Sequence, residues 1–200
     1  MKKPFFILTG LLTFLLAQET AAPDVKNKDS GLKVGDIAPS WALMSGPGEF
    51  EFLKTWTEEK GKRLRKPMSQ PDRHVVVLSF FATWCAPCMK ELPHLQNLYD
   101  KYKGKNIKLF LIDITEATRT VRGLENVPKA GPFLAKKGLT MPILYDSRGV
   151  AKERYDAATL PRLFVIDKYR IIRKIKKGFG EDENFEEELS IMIDQLLVEK

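Results

Sequence analysis

Residues 75–81, Val-Val-Val-Leu-Ser-Phe-Phe, constrain this chain more than any other stretch of its length. Apolar residues, mostly β-branched or aromatic, surround a single Ser79, which is the pattern of a strand buried on both faces. A helix is predicted over residues 87–102, ended by Gly104, and a second apolar run at 107–112 has strand length. Strand, helix and strand in series make a βαβ unit with a right-handed crossover. The expected class is therefore α/β, a mixed central sheet flanked by helices.

The rest of the body extends this unit. Residues 115–141 carry Pro128, Gly131, Pro132 and Gly138, so one or two short helical pieces are expected there, the last at 133–137 with Gly138 as its C-cap. A short strand at 143–145 precedes a turn at Asp146-Ser147-Arg148-Gly149. Strands at 163–167 and 171–176 lie close enough to form an antiparallel hairpin. Phe185, Leu189, Met192, Ile193, Leu196 and Leu197 recur at helical spacing, and the acids of 181–188 suit the positive end of that helix as a solvated face. Residues 44–73 read as a basic insertion shaped as a loop or hairpin. Its Lys60, Lys62, Arg63, Arg65 and Lys66 serve either as a solvated loop or to dock an acidic partner or membrane surface.

The N-terminus bears on compartment. Lys2 and Lys3 precede an apolar run at residues 5–16, so 1–17 has the dimensions of an export signal or, if retained, of a membrane anchor through residues 5–17. Residues 18–30 are polar and aperiodic, as a flexible tether would be, leaving 31–200 as one folded domain. The protein is expected in the periplasm or another extracytoplasmic space. The formal charge of +7 falls to +5 without Lys2 and Lys3, and no nucleic-acid-reading motif accompanies it. Nucleic acid is therefore not expected as a partner.

The chain has two cysteines among 200 residues, which excludes a disulfide-stapled fold. Both lie in Trp84-Cys85-Ala86-Pro87-Cys88, where the predicted strand turns into the predicted helix. A thiolate at a helix N-terminus is stabilised by the helix dipole and unpaired N–H groups, so its pKa falls below that of a free thiol. Cys85, at the mouth, is expected to attack a disulfide; Cys88, one turn further in, to resolve the mixed disulfide. A structural disulfide, half of a metal site, and two unrelated thiols are the competing interpretations. No second pair completes a zinc site, and His94 offers only one further ligand, so no metal and no cofactor are expected.

Trp-Cys-x-Pro-Cys with Pro93 five residues after the second cysteine resembles the thioredoxin superfamily. Thr159-Leu160-Pro161-Arg162-Leu163 resembles its cis-proline segment, which makes Pro161 the cis candidate. The segment beginning Val34-Gly35-Asp36-Ile37-Ala38-Pro39 resembles the opening of the extracytoplasmic TlpA/ResA-like thioredoxins, and 115–141 matches their central insertion in position. The resemblance implies a thioredoxin fold, substrate contacts at Trp84, Pro87, Leu160, Pro161 and Arg162, and a catalytic role for Glu91. Cytoplasmic thioredoxins place a buried aspartate where Ser79 stands, whereas this branch keeps a glutamate three residues after the second cysteine, here Glu91. Arg162 departs from the small polar residue usual after the cis-proline. It would either stabilise a thiolate and recognise acidic clients, or point to solvent from the strand edge. Asp167-Lys168-Tyr169-Arg170 lacks the glycine usual in that hairpin, and His74 reads as a surface residue.

These features imply an exported thiol-disulfide oxidoreductase that reduces client proteins and is resupplied by a membrane thiol-disulfide electron donor. Apocytochrome c, through its Cys-x-x-Cys-His site, and copper-delivery proteins are the candidate clients. The alternative is a Cu(I)-binding or metallocentre-assembly module using the same two cysteines. A thiol peroxidase is disfavoured, because no cysteine lies in a Pro-x-x-x-Thr-x-x-Cys context.

Overall fold

A run with no polar face must be covered on both sides, and the apolar stretch at 75–81 becomes an interior strand of a seven-stranded sheet. The computed structural model describes residues 31–58, 73–180 and 184–199. In chain order the strands are β1 (Ala42–Gly46), β2 (Glu49–Phe52), β3 (Val75–Phe81), β4 (Ile107–Asp113), β5 (Ile143–Tyr145), β6 (Arg162–Ile166) and β7 (Ile172–Lys177). The helices are α1 (Leu53–Trp56), α2 (Ala86–Lys101), α3 (Ala130–Lys136), α4 (Val150–Arg154) and α5 (Phe185–Val198), with a 3₁₀ turn at Glu116–Thr118. The strand order is β2-β1-β5-β4-β3-β6-β7. Strands β3, β4 and β5 are parallel; the flanking pairs are antiparallel.

Alternation along β3 decides what each face meets. Ser79 points toward α2, since its hydroxyl reaches a side chain of that helix. Phe80 points to the opposite face, where its ring meets Tyr155 at 5.5 Å and Phe164 at 6.0 Å. Helix α5 packs beside α2, and Tyr102 ties the two by donating to the Ser190 carbonyl at 3.1 Å. Its Phe185, Leu189, Ile193 and Leu196 are buried as the spacing predicts, while Met192 and Leu197 are half-buried at the margin.

Several elements differ from expectation for local reasons. Helix α3 begins at Ala130 rather than 133, because Pro132 falls in its first turn, where its missing N–H costs nothing. Helix α4 was not expected: five residues are too few to carry a helical period, and its N-cap, Gly149, takes a left-handed conformation at φ +70°. The stretch 44–73 begins as the β1–β2 hairpin, joined to the sheet through Met44 opposite Tyr145. Its basic cluster, like the expected signal or anchor at 1–17 and the expected tether at 18–30, lies outside the described residues. Among those residues no helix is long and apolar enough to cross a membrane.

His74 corrects the expectation of a surface residue. It is 8% exposed, and its ring stands edge-on to Trp56 at 5.1 Å, because the α1 indole folds back over the start of β3. In the β6–β7 turn Arg170 itself adopts φ +67°, the conformation a glycine would take at least cost. The strain, about 1–2 kcal/mol for a residue with a Cβ, is offset by a buried guanidinium that donates to the Ala38 carbonyl at 2.8 Å. That bond and the Ile37–Ile171 bridge dock the segment entering the domain onto the end of the sheet.

Candidate active site

Beyond Phe81 the chain turns, closing the turn with the Cys85 N–H on the Ala82 carbonyl at 3.0 Å. Cys85 has extended backbone and is the N-cap of α2: its Sγ accepts the Cys88 N–H at 3.2 Å, as a capping serine oxygen would. Cys85 and Cys88 are joined as a disulfide, so the structure represents the oxidised state. Cys85 is 4% exposed and Cys88 fully buried, so an approaching sulfur reaches Cys85 first. On reduction, the Cys88 N–H that already bonds the Cys85 sulfur, together with the positive end of the helix, favours its thiolate. Pro87 stands exposed in that turn with no N–H to offer, and Pro93 lies inside the helix, where it removes the bond to the Met89 carbonyl.

Below the disulfide lies the site's buried polar pair. Glu91, 1% exposed, follows Cys88 by three residues on α2 and accepts a hydrogen bond from the Ser79 hydroxyl at 2.7 Å. Ser79 is itself fully buried. Sequence reasoning singled out both positions but not their contact. The available signal was that Ser79 is the one hydroxyl in an apolar strand. Burial disfavours the charge on a carboxyl, while a donated hydrogen bond favours it; the pair sets these two against each other next to the inner cysteine.

The Leu160–Pro161 bond is cis and leads directly into β6. Leu163 lies opposite Ser79 and Arg162 opposite Phe80, so Pro161 stands beside the end of β3 from which the cysteine turn departs. Leu160 is half-buried and Pro161 buried. The Pro161 carbonyl accepts from the Gly178 N–H at 2.8 Å, which anchors the segment to the end of β7. Trp84, 38% exposed, holds its indole N–H against the Thr118 hydroxyl at 2.9 Å. Trp84, Cys85, Pro87 and the 160–161 segment thus converge on one end of the sheet.

Arg162 does not join them on the helix α2 side. Sharing a face with Phe80, it is 2% exposed, with its guanidinium 5.6 Å over the Phe164 ring and 3.9 Å from Asp156. It neither projects into solvent nor lies on the face of Cys88 and Glu91. Burial lowers its pKa, with Asp156 opposing. His94 turns toward α5, its Nδ1 2.7 Å from Glu186 and its ring beside Phe179 and Phe185. Glu186 is thereby engaged rather than simply solvated, and Asn97 also donates to it at 2.9 Å. Among the described residues no group of three potential ligands is placed to hold a metal ion.

Comparison with known proteins agrees with this geometry. Residues 34–175 match the model of the AhpC/TSA family. Thiol-disulfide oxidoreductase ResA of Bacillus cereus is 30% identical over 184 residues, covering 92% of this chain and 89% of that protein. Thioredoxin-like protein YneN of Bacillus subtilis is 26% identical over 187 residues, covering 92% and 96%. The crystal structure of StoA from Bacillus subtilis superposes with a TM-score of 0.52 at 24% identity, over 76% of this chain and 96% of that one, and supports the fold. With a disulfide-forming Cys-x-x-Cys at a helix mouth beside a cis-proline, the chain belongs to the AhpC/TSA family, as a ResA-like thiol-disulfide oxidoreductase of thioredoxin fold.

Proposed function

We propose that this oxidoreductase is exported and works as a reductant, passing two electrons from the Cys85/Cys88 dithiol to disulfides of client proteins. The observation that carries the proposal is the asymmetry of the pair: a capping Cys85 that keeps a 4% opening to solvent, and a fully buried Cys88 three residues before Glu91 on α2. The Cys85 thiolate attacks one sulfur of a client disulfide, forming a mixed disulfide and releasing the client's other sulfur as a thiolate, which takes a proton from solvent. Glu91 accepts the proton of the Cys88 thiol, and the resulting thiolate attacks the Cys85 sulfur. The client leaves fully reduced and the enzyme carries the Cys85–Cys88 disulfide.

The direction rests on Pro87. Lacking an N–H, it gives the thiolate none of the stabilisation of the reduced form that characterises strong oxidants. In an oxidising compartment such a reductant requires a membrane thiol-disulfide donor to restore its dithiol. Trp84, Pro87, Leu160 and Pro161 form the client-binding end, with Arg162 supporting the segment from behind. Apocytochrome c and copper-delivery proteins are the client classes proposed.

Cys88→Ser expressed in the full chain tests this by leaving mixed disulfides unresolved. Clients linked to Cys85 should be recovered on non-reducing gels and released by reductant. If none is trapped and Cys85 titrates as a free thiol, the proposal fails. A reduction potential near or above about −120 mV, the strong-oxidant end of the range, would reverse its direction.

A further inference from the structure

The two residues before Cys85 are held from the central insertion, by partners 32 to 45 residues further along the chain. The Thr83 N–H donates to the Thr115 hydroxyl oxygen at 3.1 Å, and the Thr83 hydroxyl to the Pro128 carbonyl at 2.8 Å. The Trp84 indole N–H donates to the Thr118 hydroxyl oxygen at 2.9 Å. The holders are themselves fixed. The Thr118 hydroxyl donates to the Thr115 carbonyl at 2.8 Å, and the Thr115 N–H to the Asp113 carboxylate at 2.9 Å. The Thr115 hydroxyl donates to the same carboxylate oxygen. Asp113 is the last residue of β4, so the chain of bonds runs from the rigid sheet, through the start of the insertion, to the turn that carries Cys85.

Thr115 and Thr118 are both buried, at 0% and 5% exposure, so their hydroxyls meet little competition from water. A hydroxyl that donates to a buried carboxylate is polarised into a better acceptor for the next donor, here the Thr83 N–H. Burial also raises the Asp113 carboxyl above its ordinary value. A carboxylate kept there costs stability at neutral pH, which fits a group serving position rather than stability.

We propose that Thr115 and Thr118 are positioning residues of the dithiol site, through which the central insertion fixes the Thr83–Trp84 turn and presents the Trp84 ring as a preformed wall for protein clients. Fixing the indole before a client arrives removes the cost of ordering it on binding. A small disulfide that touches only the Cys85 sulfur draws no benefit from that wall. The inference rests on the proposal that clients are proteins, and its test separates the two.

Thr118→Val is nearly isosteric and removes only the hydroxyl; Thr118→Ser restores it, and Thr118→Ala is the second variant should valine fail to fold. The reduced proteins are oxidised under single-turnover conditions by two probes, 5,5′-dithiobis(2-nitrobenzoate) and a disulfide-bonded Cys-x-x-Cys-His peptide. Thr118→Val should raise the half-saturating peptide concentration about tenfold, the upper end of what immobilising one side chain costs an interface. Reaction with the small disulfide should stay within about twofold, and Thr118→Ser should return the peptide reaction to wild type. The Trp84 indole ¹H–¹⁵N resonance, identified by its loss in Trp84→Phe, should show a lowered heteronuclear NOE in Thr118→Val and an unchanged one in Thr118→Ser. An unchanged NOE in Thr118→Val overturns the inference whatever the peptide does. An equal loss with both probes overturns it as well, by assigning Thr118 a general structural role. Failure of the wild-type protein to reduce the peptide counts against that client class and leaves the NOE arm to decide the inference.

Discussion

Ser79→Ala removes one hydroxyl from the interior of β3 and nothing else, and its main consequence should be kinetic. The hydroxyl donates to Glu91 at 2.7 Å in a fully buried setting. A hydrogen bond to a charged group is worth about 1.5–3 kcal/mol, and about 1.4 kcal/mol corresponds to one pK unit. Because Ser79 donates, it favours the carboxylate over the carboxylic acid, and its removal should favour the acid. If Glu91 must be ionised to take the Cys88 proton, the rising limb of the pH–rate profile moves to higher pH. At a fixed pH on the limb the rate then falls about tenfold or more. Single-turnover oxidation of the dithiol by a disulfide, followed across pH by stopped flow, reads the limb directly. Glu91→Gln, which cannot ionise, should remove the effect of Ser79→Ala and leave only the limb set by the Cys85 thiol. A Ser79→Ala profile superimposable on wild type, or a Ser79→Ala shift of the same size in the Glu91→Gln background, would refute the assignment of proton transfer to this pair.

Two further outcomes concern the scaffold. Arg73 donates twice to one oxygen of Glu58, at 2.8 and 2.5 Å, and Glu58 is only 5% exposed. Arg73→Ala should take the bonded guanidinium from a buried carboxylate and cost about 2 kcal/mol, discounted from a fully buried pair because Arg73 is itself partly in water; urea denaturation measures it. Hydrogen bonding from Asn97, with a smaller contribution from His94, holds the Glu186 carboxyl below its ordinary 4.5 despite some burial. A depressed carboxyl contributes stability that is present above its unfolded pKa and lost as pH falls through the folded one. Glu186→Gln should therefore cost about 0.5 kcal/mol at neutral pH, as a half-exposed clamp between α2 and α5 would, with the two unfolding curves converging in acid. A difference that persists in acid would mean that packing, not charge, is what the substitution disturbs.

The strongest signals in the chain were local ones. The βαβ order, the placement of Cys85 at a helix mouth, the β6–β7 hairpin and the apolar face of α5 follow from periodicity and turn chemistry within short windows, which a chain declares without knowing its own tertiary contacts. The proline at 161 was legible as a cis candidate by likeness, and the bond is cis. Helix α4 and the edge pairing of β1 with β5 were not legible. One is too short to show a period, and the other joins residues about a hundred positions apart through a single register contact.

The sequence alone determined that two cysteines would share one helix turn, that Glu91 would lie on the same face as Cys88, and that the strand behind them would be buried. Only the tertiary structure decided what those residues meet. Ser79 reaches Glu91 because strand alternation and helix packing turn both toward one interface. Arg162 is carried to the other face because its register partner is Phe80 rather than Ser79. Thr115, Thr118 and Pro128 grip the active-site turn across 32 to 45 residues of intervening chain. A spacing rule reaches a few residues along a helix or strand, whereas these contacts are made by closing long loops. Their partners are chosen by which surfaces the whole sheet brings together.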